Sequence, residues 1–103
     1  MVKVKTCVFI SGEGTNLKNL IKRSRNYNFP IKICLVVSNK ANARGLNYAK
    51  KYSIPFLIIN TKNRNYENLI LNNFNRYQIE LICLAGYMKI ISKNFLRKCK
   101  KKI

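Results

Sequence analysis

The chain has 103 residues, 48% hydrophobic and 23% charged, a length and balance that fit one small packed domain and exclude a disordered segment. Its 21 Lys and Arg stand against Glu13, Glu67 and Glu80 alone, a net +18, so a partner met through charge is an anion. No apolar run approaches the roughly 20 residues that span a bilayer, and the amino terminus lacks the apolar stretch and cleavage site of a signal peptide, so a cytoplasmic protein with no membrane partner is expected.

Val4 to Ile10, rich in β-branched and aromatic residues, predicts a first strand running into a glycine-bearing turn. Leu17, Leu20 and Ile21 then recur at helical spacing, with Lys18, Lys22, Arg23 and Arg25 on the outer face. Asn26 to Pro30 breaks that helix. Ile31 to Val37 is an almost continuous apolar run, the pattern of a strand covered on both faces, which favours parallel pairing over a hairpin. After the loop Ser38-Asn39-Lys40, Ala43 to Tyr52 predicts a short helix with Leu46 and Ala49 inward, ended by Ser53-Ile54-Pro55. Phe56 to Ile59 is a third strand, followed by a polar loop from Asn60 to Asn65. Tyr66, Leu69, Ile70, Asn73, Phe74 and Tyr77 form one helical stripe at spacings of three and four. Leu81 to Ala85 predicts a fourth strand, and Ser92 to Lys102 a basic terminal helix. Strict alternation of this kind implies an α/β fold, a Rossmann-like open parallel sheet with helices on both faces, as a single unit over residues 1–103.

Cys7, Cys34, Cys83 and Cys99 are far apart and form no Cys-x-x-Cys pair, and the chain has no His. Buried thiols are expected, with no metal. The cations are spread over several helix faces, with one run at Lys98 to Lys102, and do not alternate with aromatics as a base-stacking platform requires. A field of +18 gives nonspecific binding to nucleic acid at most. A compositional account competes with it, since abundant Lys, Asn and Ile are what an A+T-rich coding sequence yields at drifting surface positions.

Ligands of an open parallel sheet bind beyond the carboxyl ends of its strands. Of the four loops there, Ser11 to Thr15 carries the strongest signal. Gly12 and Gly14 permit close backbone approach, Thr15 can cap the helix, and Asn16 offers an amide donor. The first-turn N–H groups of a helix lack internal partners and its dipole is positive there, so an anion is stabilised by several aligned donors. A capping box would need Glu or Gln where Lys18 stands, and its absence leaves those donors to an outside anion. A dinucleotide fingerprint would need Gly in place of Leu17, and a P-loop would need Gly-Lys-Ser/Thr. Neither is present.

Three motifs in order, Ser11-Gly12-x-Gly14-Thr15-Asn16-Leu17, Val37-Ser38-Asn39-Lys40-Ala41-x-Ala43-x-Gly45-Leu46 and Leu84-Ala85-Gly86-Tyr87-Met88-Lys89-Ile90-Ile91-Ser92, resemble the phosphoribosylglycinamide formyltransferase family. The resemblance covers the amino-terminal half of that enzyme. It implies transfer of a formyl group from 10-formyltetrahydrofolate to the amine of glycinamide ribonucleotide in purine synthesis. Gly12, Gly14, Thr15 and Asn16 match the loop that holds the substrate's 5′-phosphate. Met88, Lys89, Ile90 and Ile91 match the folate-pocket segment, where the family commonly has Arg in place of Lys89, and Lys lacks the planar fork for a bidentate contact. Arg64 lies near a family Arg that contacts the folate, with Lys62 and Asn63 as neighbouring alternatives.

In the family, catalysis rests on an Asn-x-His-Pro-Ser segment, expected just where this chain ends at Ile103, and on a later Asp. This chain contains no His and no Asp. The resemblance therefore implies a truncated chain that positions substrate and carries no catalytic residue, inactive alone. The alternative is a noncatalytic phosphate- or nucleic-acid-binding module.

Overall fold

The computed structural model describes residues 3–10, 15–60, 62–63 and 65–84, with backbone alone at 15 and 16. Four strands, β1 (Val4–Ile10), β2 (Ile31–Ser38), β3 (Phe56–Ile58) and β4 (Leu81–Leu84), alternate with α1 (Thr15–Ser24), α2 (Gly45–Lys51) and α3 (Tyr66–Tyr77). All strand pairs are parallel and the order is β3-β2-β1-β4. The expected open parallel sheet with helices on both faces is borne out. The expected terminal helix at Ser92 to Lys102 lies outside the described residues.

The strand order explains the layering. From β1 to β3 the chain steps in one direction across the sheet, and right-handed crossovers put α1 and α2 on one face; returning past β1 to β4 reverses the step and puts α3 on the other. Alternation along β1 serves both layers. Val8 and Ile10 pack with Leu17 and Ile21 of α1 and Leu46 and Ala49 of α2, while Cys7 and Phe9 pack with Ile70 and Phe74 of α3. Each fully buried large side chain among these contributes about 1.5–3 kcal/mol.

In β2, Thr6 pairs with Ile33 but Cys7 pairs with Leu35, so Cys34 is an unpaired bulge residue. Ile33 and Val36 thereby share the α1/α2 core although three positions apart.

Element boundaries shift slightly from the sequence expectation. Helix α2 begins at Gly45, not Ala43, because the turn before it is tighter: Ala43 N–H bonds Lys40 O, and Leu46 N–H bonds Ala43 O. Strand β3 ends at Ile58 in the ladder, although Ile59 N–H still donates to Ser38 O at 2.8 Å. Helices α2 and α3 close alike. Ser53 and Gln78 take left-handed backbone (φ 57° and 55°), and the next residues return N–H bonds, Ile54 to Ala49 and Ile79 to Phe74. Cys7 is buried as expected, whereas Cys34 and Cys83 are only half-buried, on a bulge and on a strand paired on one side among the described residues. Cys99 lies outside them.

Candidate functional site

The chain reverses direction between β1 and β4, and in such a sheet the crevice opens beyond the carboxyl ends of the strands that flank the reversal. Register makes those ends level. Ile10 pairs with Ser38, and Phe9 with Leu84. The segments starting at Ser11, Asn39 and Ala85 therefore leave the sheet from three adjacent strand ends, which brings together the exits of all three motifs.

Helix α1 is aimed by its core. Leu17 and Ile21 are buried against Val8, Ile10, Leu46 and Ala49, fixing the helix so that its amino end meets the end of β1. Its first turn carries no acid, and Lys18 lies there with its ammonium 5.7 Å from the Tyr48 ring. That cation adds to the positive field of the helix start. Thr15 and Asn16 form the first two residues of α1, so Thr15 lies one position inside the helix and not at the capping position expected of it; Gly12 and Gly14 lie outside the described residues.

The second exit is tied down by Ser38. Its buried hydroxyl donates to Lys40 O at 2.8 Å and accepts the Lys40 N–H at 3.0 Å, a compact turn that the motif alone did not disclose. The loop after β3 holds two Asx turns: Asn60 Oδ1 accepts from Lys62 N–H and Asn63 Oδ1 from Asn65 N–H, each at 3.0 Å. These turns deliver the chain to the start of α3. Arg64 lies outside the described residues, as do Met88, Lys89, Ile90 and Ile91, whose segment follows β4.

Two groups on the frame titrate abnormally. Burial pushes the Cys83 thiol up, and Tyr66, at the start of α3, is raised by burial and then by the charge and hydrogen bond of Glu67. Both therefore stay protonated at physiological pH. Among the described residues no three His, Cys, Asp or Glu cluster to hold a metal, and no helix is long and apolar enough to cross a membrane.

The fold defines a class: a parallel α/β domain whose first helix starts beside the reversal of strand order. The sequence model of the formyl transferase family matches residues 4–103. The phosphoribosylglycinamide formyltransferase of Haemophilus influenzae is 41% identical over 103 residues, covering 96% of this chain and 49% of that protein. The trifunctional purine biosynthetic protein adenosine-3 of Gallus gallus is 40% identical over 105 residues, covering 98% of this chain and 10% of that one. The crystal structure of phosphoribosylglycinamide formyltransferase from Anaplasma phagocytophilum superposes with a TM-score of 0.85 at 32% identity, over 96% of this chain and 47% of its own. The chain belongs to the formyl transferase family, and it spans about half the length of the single-function relatives it matches.

Proposed function

We propose that this chain is the substrate-phosphate half of a cytoplasmic phosphoribosylglycinamide formyltransferase, a single partial domain over residues 1–103 that works in purine synthesis. Gly12, Gly14, Thr15 and Asn16 hold the 5′-phosphate of glycinamide ribonucleotide on the start of α1, and Arg64 with Met88, Lys89, Ile90 and Ile91 line the place of 10-formyltetrahydrofolate. The observation that carries this reading is the level exit of the three motifs from β1, β2 and β4 beside an acid-free helix start. Formyl transfer needs the amine held against the formyl carbon, a donor for the developing oxyanion and a proton relay. This chain performs the first task. Residues 1–103 hold no His and no Asp, so neither of the usual proton carriers comes from them.

Calorimetric titration with glycinamide ribonucleotide tests the reading. Asn16→Ala is expected to weaken binding by about tenfold, the ~1.4 kcal/mol of one hydrogen bond to a charged group, while the dephosphorylated ribonucleoside binds weakly to both proteins. Equal affinity of the parent and Asn16→Ala, or of ligand with and without phosphate, defeats the proposal.

A further inference from the structure

The opposite edge of the sheet is basic for a topological reason. In a parallel α/β sheet every helix runs back, so its carboxyl end lands beside the amino ends of the strands. The last turns carry Lys22 and Arg23 in α1, Lys50 and Lys51 in α2, and Arg76 in α3. Lys5 and Lys32 join them near the strand starts, directly opposite each other in the β1–β2 register. Cations spread along the sequence are thus gathered by the fold at one edge.

Local structure does not consume this charge. Each helix carboxyl end supplies roughly half a negative charge. Lys3 is committed, its ammonium donating to Ser24 O and Asn26 O where α1 ends, and the Lys5 ammonium donates to the neutral Gln78 Oε1, which orients its charge without cancelling it. Glu80 is the one carboxylate at this edge among the described residues, and its Oε1 accepts the backbone N–H of Lys5 at 3.2 Å. Like charges facing each other across a strand pair are destabilising, so the Lys5–Lys32 opposition gains from an external anion.

The edge is also grooved. A cavity of about 530 Å³ is lined by Lys5, Lys32, Tyr52, Arg76 and Gln78, and a second of about 260 Å³ by Arg25, Lys32 and Tyr52. Tyr52 carries Arg25 and Lys51 over its ring at 5.3 and 5.6 Å, and Tyr77 carries Arg76 at 5.5 Å. These rings hold cations at the groove and present little bare face on which a base could stack.

We propose that this amino-terminal edge binds the phosphate backbone of nucleic acid without reading sequence, at the end of the sheet opposite the α1 helix start. It rests on the charge and topology of that edge and stands apart from the formyltransferase reading. A fluorescent duplex of mixed sequence, titrated with the full chain at several salt concentrations, measures it. Log affinity is expected to fall linearly with log salt, with a slope set by about four to six phosphate contacts. Lys32→Gln with Arg76→Gln, both at exposed positions, is expected to weaken binding about tenfold and to lower the slope by about 2. Lys40→Gln with Lys62→Gln removes the same charge from loops at the carboxyl edge and is expected to change affinity less than about twofold. Circular dichroism checks that both pairs fold. Equal losses from the two pairs mean that net charge alone binds, as the codon-composition account has it, and overturn the proposal. So does displacement of the duplex by polyglutamate at equal charge, which marks a surface for acidic protein.

Discussion

The rings of Phe9 in β1 and Phe74 in α3 meet with centroids 6.3 Å apart and planes tilted by 55°, each side chain 1% exposed. This pair clamps α3 to the central strand. It also sets the height at which α3 begins, and hence where the Asn60 to Asn65 loop meets the carboxyl edge. Ile70 lies one turn earlier on the same buried stripe, while Leu69 beside it is 44% exposed.

Truncating Phe74 to Ala leaves a cavity that the sheet cannot close, and the expected cost is about 3–5 kcal/mol. A domain of this size has about 5–15 kcal/mol in all, so the variant sits near its unfolding threshold. Leu69→Ala is expected to cost under about 1 kcal/mol. Urea unfolding followed by circular dichroism separates the two; similar midpoints would mean that α3 is not anchored through this ring.

Alkaline pH should loosen the fold from β4 and α3. The thiol of Cys83 is raised by burial and the phenol of Tyr66 by burial and Glu67, so in each case the folded state holds its proton longer than the unfolded chain. With more protons bound in the folded state, stability is complete below the unfolded values and declines as pH rises past about 8.5 for the thiol and about 10 for the phenol. Urea midpoints at a series of pH values should be flat through neutrality and then fall. Cys83→Ala is expected to remove the earlier part of that decline. An unchanged profile in this variant rejects the assignment to Cys83.

The strands and the stripe of α3 were legible because each carries one unambiguous period or an apolar run bounded by turn residues. The start of α1 was legible because Gly12, Gly14, Thr15 and Asn16 are residue types suited to a turn that opens a helix. What could not be read was adjacency. Nothing local says that β4 returns to the far side of β1, and that placement alone sets the exits of the first and third motifs side by side. The basic edge was hidden for the same reason, since Lys5 and Lys32 meet only through register. Ser53 and Gln78 concealed their left-handed turns by not being glycine. The bulge at Cys34 was invisible because Ile33-Cys34-Leu35 is apolar throughout, and a run without alternation carries no parity.

That bulge makes a deletion experiment decisive. On its amino side Val4 pairs with Ile31 and Thr6 with Ile33; on its carboxyl side Cys7 pairs with Leu35 and Ile10 with Ser38. Both halves are thus already in register with β1, and Cys34 is the residue left over. Removing it joins them into an uninterrupted ladder, with Ile33 and Val36 still in the α1/α2 core and Leu35 and Val37 still against α3. The expected cost is under about 1.5 kcal/mol, from losing a half-buried thiol that packs at the margin of the α3 core. Deleting Val8 from β1 instead, where no spare residue can fill the gap, forces the residues on one side of it to slip by one against both β2 and β4, which turns alternate apolar side chains to the wrong face and is expected to abolish cooperative unfolding. Urea titrations of the two deletions, with amide dispersion in proton spectra as a check on packing, decide the matter. If loss of Cys34 proves as disruptive as loss of Val8, the bulge is required by the fold and the regular ladder is not an available state.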